Sequence, residues 1–349
     1  MRQKVSLGAT ALAIIFASGT ALADDVYSGF PVTVKGYDGN KTTSVAYTGQ
    51  IARHVLHDSL KKLANSGNGS PNPDLKAKMM AYFQGKDPGR AIITPKTKGP
   101  FAVKQSGVDD ISKKKNLAGK TYKGTISGMP NNMTGPELVT FWIDKASAAK
   151  KGYDAANGYD YGQLISKFIM GAVSYNQAVD NYLDEKLSAD KKPNDKPYKK
   201  GAYYTGKEHS WDEAFGYWGS AAHALALSAE DNYNVAKKKD LASADHNGDG
   251  VVDLYSEMTY AHAYYASSYD KGGKTDYLAT VNQAFIDGRL VIRDAGGRNL
   301  SFDERTKMLA ARDTIRENWQ KVIAESVFKY AGSTYKDLVA LEIIMDANG

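Results

Sequence analysis

Two stretches of this 349-residue sequence carry oxygen and nitrogen donors at spacings that suit a bound cation. The first is DHNGDGVVDLYSE, Asp245 to Glu257. Asp245, Asn247 and Asp249 take positions 1, 3 and 5 of an EF-hand-like loop, Gly250 takes position 6 where the backbone must turn sharply, and Asp253 takes position 9. Alternate residues of a tight turn aim their oxygens at one point, and hard Ca2+ takes six to eight of them. The Val251 carbonyl is the expected ligand at position 7, with Val252 packing inward. Position 12 is Ser256. Either Glu257, one residue late, closes the site through a shifted helix start, or the closing ligand comes from elsewhere. The expected role is a structural calcium clip rather than a sensor, and the alternative is a metal-free Asn/Asp/Gly turn.

The second stretch is GKEHSWDEAFGYWG, Gly206 to Gly219. On a helix, His209 stands three residues before Asp212 and four before Glu213, so both carboxylates can approach the imidazole. Imidazole and carboxylate suit iron or another transition metal. His223, fourteen residues past His209, is expected on nearly the same helix face. Further ligands would have to come from other helices, with His54, His57, His262 and the tyrosines as candidates. The competing reading is an ordinary amphipathic helix, with an acid offsetting the dipole in its first turn and Trp211, Phe215 and Trp218 in the core.

Composition narrows the chemistry. The sequence has no cysteine, which excludes disulfides, thiolate-bound zinc, iron–sulfur clusters, a thiol nucleophile and a lipoprotein anchor. Residues 1–23 read as a signal peptide: Arg2 and Lys4, a short apolar run, then a small-residue cleavage pattern at Ala21–Ala23. The mature chain is therefore expected to be exported, periplasmic or secreted, and no later segment is apolar enough to span a membrane. The formal charge of +6 comes from lysines spread along the chain or clustered in loops. No nucleic-acid module is visible, and nucleic acid is not an expected partner.

The elements that must position these residues read as helices. Apolar residues recur at helical spacing over 49–67, 72–85, 134–152, 161–187, 254–270, 276–295, 301–332 and from 334 onward. The helix of the second stretch is expected to continue through 220–238. The fold class is all-α, with antiparallel helices in one or more bundles. An irregular N-terminal segment precedes them, and a long Gly/Pro/Lys-rich excursion over about 85–133, with room for a small hairpin, is expected as an insertion. Residues 24–349 are expected to form a single domain.

HSWDEAFGYWG followed by DHNGDGVVDLYSE resembles a bacterial family of secreted proteins whose domain has no assigned function. That family is itself similar to the imelysin-like proteins, which are exported, helical and associated with iron acquisition. Imelysins carry Gly-x-His-x-x-Glu; here Gly206 lies three residues before His209, and Asp212 stands at the glutamate spacing. The resemblance implies a non-catalytic binding or uptake-accessory protein for iron, haem or another small ligand. Its partner would be a periplasmic or outer-membrane uptake component, and His209, Asp212 and Glu213 would be the ligand-site residues. Two alternatives stay open. One is a calcium-stabilised glycan or surface-interaction module using the tyrosines. The other is a metallopeptidase-like hydrolase, although the His-Glu-x-x-His string is absent.

Overall fold

The computed structural model describes residues 26–348, so the proposed signal peptide lies outside the described residues. The chain is mainly α-helical. In order come α1 (Thr48–Ala64), α2 (Pro73–Phe83), α3 (Val108–Ile111), α4 (Gly135–Ala148), α5 (Tyr161–Ile169) and α6 (Gly206–Trp218). They are followed by α7 (Ala229–Ala236), α8 (Leu241–Ala244), α9 (Ala261–Asp270), α10 (Tyr277–Asp294) and α11 (Phe302–Asn348). α5 runs directly into wider, π-type turns over Met170–Ser188. The paired strands β1 (Tyr153–Asp154) and β2 (Tyr159–Asp160) are two residues each and antiparallel. Between α2 and α4 the backbone has only α3, a short 3-10 turn at Pro130–Asn132 and isolated bridges.

α1 lies at the centre. Its apolar residues Ile51, Val55, Leu56 and Leu60 are fully buried, and His54 and His57 are buried with them. It packs against α2, α3, α4, α5 and α6. Burial of each large aliphatic side chain stabilises the fold by about 1.5–3 kcal/mol, so an alanine at Leu56 or Leu60 would cost about 2–5 kcal/mol once the cavity is included. The contact between α1 and α6 is close because Gly216 has no side chain. A Cβ there would sit 2.7 Å from the Tyr47 Cβ and 2.8 Å from the Gln50 Cβ.

Three helix boundaries depart from the periodicity, each for a local reason. α6 does not continue through 220–238. It ends at Gly219, which is left-handed (φ 83°) and donates back to the Phe215 carbonyl, an ending that favours glycine. The next amides are taken by another segment: Ala221 donates to Thr259 Oγ1 and Ala222 to the Ser256 carbonyl. For the same reason α9 starts at Ala261 rather than near 254. Leu254 donates to Gln105 Oε1, Tyr260 donates to the Gly219 carbonyl, and Val252 bridges Val103. In the opposite sense, α11 runs unbroken through Gly332. Ser333 and Thr334 lie inside it and donate their hydroxyls to the carbonyls four residues back, both at 3.0 Å. By rise per residue α11 is about 70 Å long. Its first half is buried through Met308, Ile315, Trp319 and Val322.

Candidate functional site

α6 is built to present two different faces. Its start is a capping box: Thr205 Oγ1 accepts from the Glu208 amide at 3.1 Å, and Glu208 Oε2 accepts from the Thr205 amide at 2.8 Å. Trp211 donates to the Phe285 carbonyl and Trp218 to Asn282 Oδ1, while Phe215 stacks on Tyr27 with centroids 3.7 Å apart. These three aromatics are core.

The inward face carries Glu208 and Asp212, and both meet Arg289 of α10. All three side chains are fully buried. Arg289 Nε donates to Asp212 Oδ1 at 2.9 Å, Nη1 to Glu208 Oε1 at 3.2 Å and Nη2 to Ser44 Oγ at 2.6 Å. The Tyr27 hydroxyl and the Ala46 amide complete Asp212, and Thr33 and Ser44 donate to Glu208. Burial pulls the Arg289 pKa down, but the two carboxylates outweigh it and hold it above its ordinary value. This network ties the N-terminal segment to α6 and α10. It also corrects the expectation that Asp212 approaches the imidazole: Asp212 points into the core and is consumed there.

His209 and Glu213 occupy the outward face. His209 Nε2 lies 3.7 Å from Glu213 Oε2, and Glu213 Oε1 accepts from Gln50 Nε2 at 2.7 Å. The imidazole stacks on Tyr204 at 4.5 Å and tilts against Tyr198 at 4.6 Å. Its Nδ1 is buried without a hydrogen bond of good geometry, and burial lowers its pKa. The two residues line a cavity of about 370 Å3 together with Gln50, Arg53, Lys115, Lys120, Lys199, Tyr198, Tyr203 and Tyr204. That volume falls within the range of small-molecule sites. A larger depression of about 520 Å3 between α2 and α4 is lined by Phe83, Pro136 and Phe141; of its charges, Lys76 and Asp144 are paired at 2.5 Å and Glu137 is held by the Thr134 amide and hydroxyl.

The other histidines do not join His209. His54 is fixed to the Gly216 carbonyl at 3.0 Å and stacks on Tyr260. His57 meets the carbonyl and hydroxyl of Ser166. His262 packs edge-on to Trp319. His223, beyond the end of α6, contacts the Ser243 carbonyl and stacks on His246. Burial lowers the pKa of His54 to about 4 and of His57 and His262 to about 3, so all three are neutral packing groups.

The acidic loop is held by its own amides. Asp245 accepts from Asp249 and Gly250 at 3.1 and 2.7 Å, Asn247 Oδ1 from Asp249 at 2.8 Å, and Asp249 Oδ1 from Val251 at 3.1 Å. Gly250 is left-handed, φ 85°. No helix starts at Glu257. Its carboxylate instead spans the loop, accepting from the Asn247 amide at 3.3 Å and the Asp253 amide at 2.7 Å. Asp253 is engaged by Gln105 at 2.7 Å and Lys104 at 3.3 Å. Val252 is fully buried. Among the described residues no group of three or more His, Asp or Glu side chains is gathered around a single metal-sized point. The donors are nevertheless all oxygen, as a hard cation requires, although Asp253 Oδ1 already accepts twice, from Gln105 Nε2 at 2.7 Å and from the Tyr255 amide at 2.9 Å.

Sequence spacing pointed to His209 and Glu213 but missed Gln50 and Arg53 of α1, Lys115 and Lys120 of the stretch between α2 and α4, and Lys199 of the segment before α6. Arg53 and Gln50 sit three apart on α1, a spacing any surface helix can show, so no local signal marks them.

These features define a mainly helical protein with a mixed polar and aromatic cleft beside α6 and an acidic loop; a second polar and aromatic cavity of about 400 Å3, lined by His57, Asp58, Lys61, Lys167, Tyr264 and Tyr265 among others, lies elsewhere. The family model for a domain of unknown function (DUF4856) matches residues 139–345, more than half of the chain, and the chain belongs to that family. The match takes in α6 and the acidic loop, whereas Arg53, Lys115 and Lys120 precede it. No curated protein and no solved structure matches the chain. Among the described residues no helix is long and apolar enough to cross a membrane.

Proposed function

We propose that this chain is an exported, non-catalytic binding protein that takes a small ligand in the cleft between α1 and α6, with iron or haem as the ligand's metal component. The observation that carries the reading is the paired presentation of His209 Nε2 and Glu213 Oε2. They stand 3.7 Å apart, with the other Glu213 oxygen steadied by Gln50. Metal–nitrogen and metal–oxygen bonds of about 2.0–2.2 Å allow one ion to bridge such a pair. The phenols of Tyr198, Tyr203 and Tyr204 line the same space. The resemblance to imelysin-like proteins supports iron over other metals, and an uptake component of the same compartment is the partner this reading requires.

Calcium has a separate, structural place in the proposal. Asp245, Asn247, Asp249, the Val251 carbonyl, Asp253 and Glu257 would hold it. It would clamp the loop whose Val252 pairs with Val103, securing the segment that carries Lys104 and Gln105. The charge the ion supplies offsets four carboxylates gathered in thirteen residues.

Elemental analysis of the protein purified from the exported fraction without chelator tests both halves. The expected result is stoichiometric calcium, plus iron that is lost in a His209→Ala/Glu213→Ala variant that still unfolds cooperatively. Equal iron in wild type and variant would remove the cleft from the proposal.

A further inference from the structure

The cleft holds four cationic side chains, Arg53, Lys115, Lys120 and Lys199, against one carboxylate, Glu213. Among the described residues none of the four is in an ion pair. Arg53 is fixed to carbonyls, donating from Nε to Asn116 and from Nη1 to Gly49, each at 2.9 Å. Lys115 is laid over Gly49, where a Cβ would come within 3.1 Å of its Cε and 3.5 Å of Arg53 Nη1. Lys120 reaches only the Tyr182 hydroxyl, at 3.3 Å. Burial lowers the pKa of Lys115 and Lys120, with neighbouring cations acting in the same direction and Glu213 opposing. Lys186, behind Lys120, is brought down to about 8, chiefly by burial.

Partly buried like charges without counterions are costly. A bare ferric ion would add to that repulsion. We infer that the ligand of this cleft is a multivalent oxyanion, a polycarboxylate or phosphate compound, bound by Arg53, Lys115 and Lys120 and flanked by the rings of Tyr204 and His209. This rests on the reading of the cleft as the binding site and gives its ligand class. Any metal then enters as an anionic chelate, with His209 and Glu213 free to complete its coordination. Guanidinium and ammonium groups meeting carboxylate or phosphate oxygens form charge-assisted hydrogen bonds, roughly twice as strong as neutral ones.

Titration calorimetry on the full chain tests this with citrate, inorganic phosphate, ferric citrate and the neutral sugar maltose as probes. Citrate or phosphate is expected to bind at least about tenfold tighter than maltose, and about tenfold weaker in a Lys115→Met/Lys120→Met variant, the equivalent of about 1.4 kcal/mol. Lys115→Arg/Lys120→Arg should retain binding, which separates lost charge from lost fold. Binding should also weaken with added salt. Maltose binding equal to citrate, anion binding indifferent to the methionine variant, or no binding by any anionic probe would each overturn the inference. Ferric citrate separates it from the iron reading. Citrate bound equally with and without iron keeps the anion and removes the metal. Ferric citrate whose binding is lost in His209→Ala but unaffected by Lys115→Met/Lys120→Met does the reverse.

Discussion

The two polar faces of α6 are a natural comparison, because each carries an acid of one adjacent pair, Asp212 on one and Glu213 on the other. On the inward face Glu208 and Asp212 are fully buried, and every charge has a partner: Arg289, two hydroxyl donors on Glu208, a phenol and an amide on Asp212. On the outward face His209 and Glu213 keep 16% and 18% of their side-chain surface exposed and look into a cavity where cations outnumber the carboxylate. The first arrangement is closed and can only hold the fold together. The second is incomplete in charge and open in space, and it is the one with something left to bind. Burial by itself would have nominated the wrong face.

The sharpest way to break the comparison is to remove the partner on the closed side. Arg289→Met strands two buried carboxylates and should lower unfolding stability by about 3–5 kcal/mol, read by urea denaturation; a loss below about 1 kcal/mol would mean the network is not what holds the N-terminal segment to α6 and α10. Next in size is the acidic loop. If calcium fills it at a hundred times its dissociation constant, the gain is about 2.7 kcal/mol. Adding chelator should therefore lower the melting temperature of wild type but leave an Asp245→Ala/Asp249→Ala variant unmoved. A melting temperature of wild type already indifferent to chelator would reduce the loop to a turn held by its own amides.

Smaller effects sharpen the open side. Lys186 has its pKa lowered to about 8 by burial, with Lys120 and Lys192 pushing in the same direction and Glu213 and Glu185 opposing. Citrate affinity should fall severalfold as pH rises from 7 through 8, because over that range the amine loses its charge while the anion keeps its own. A flat profile to pH 9 would take Lys186 out of the field of the cleft. Smallest is the stability cost of His209→Ala, about 1 kcal/mol for the lost ring contacts with Tyr198 and Tyr204. A cost comparable to Arg289→Met would make His209 a structural residue like His54 and His57.

Much of this protein was legible before its structure. Helical periodicity located α1, α2, α4 and α10 because an apolar stripe must be buried wherever the chain goes. At the start of α4, Thr134 and Glu137 form a Thr-x-x-Glu cap written in nearby residues, with the Thr134 amide donating to Glu137 at 2.8 Å. The spacing of Asp245, Asn247, Asp249 and Gly250 likewise dictates its own turn, whose amides need no distant partner. What spacing could not reveal is where a helix loses its amides to another segment, as α6 does at Gly219 to the 256–259 strip. Nor could it say which of two neighbouring acids faces inward. Asp212 and Glu213 are both within reach of His209 along the helix, and only the position of Arg289, seventy-seven residues away, assigns one to the core and leaves the other to the cleft. Local chemistry is written in adjacent residues. The field that gives that chemistry a use is summed over Arg53, Lys115, Lys120 and Lys199, side chains that only the tertiary fold brings to one place.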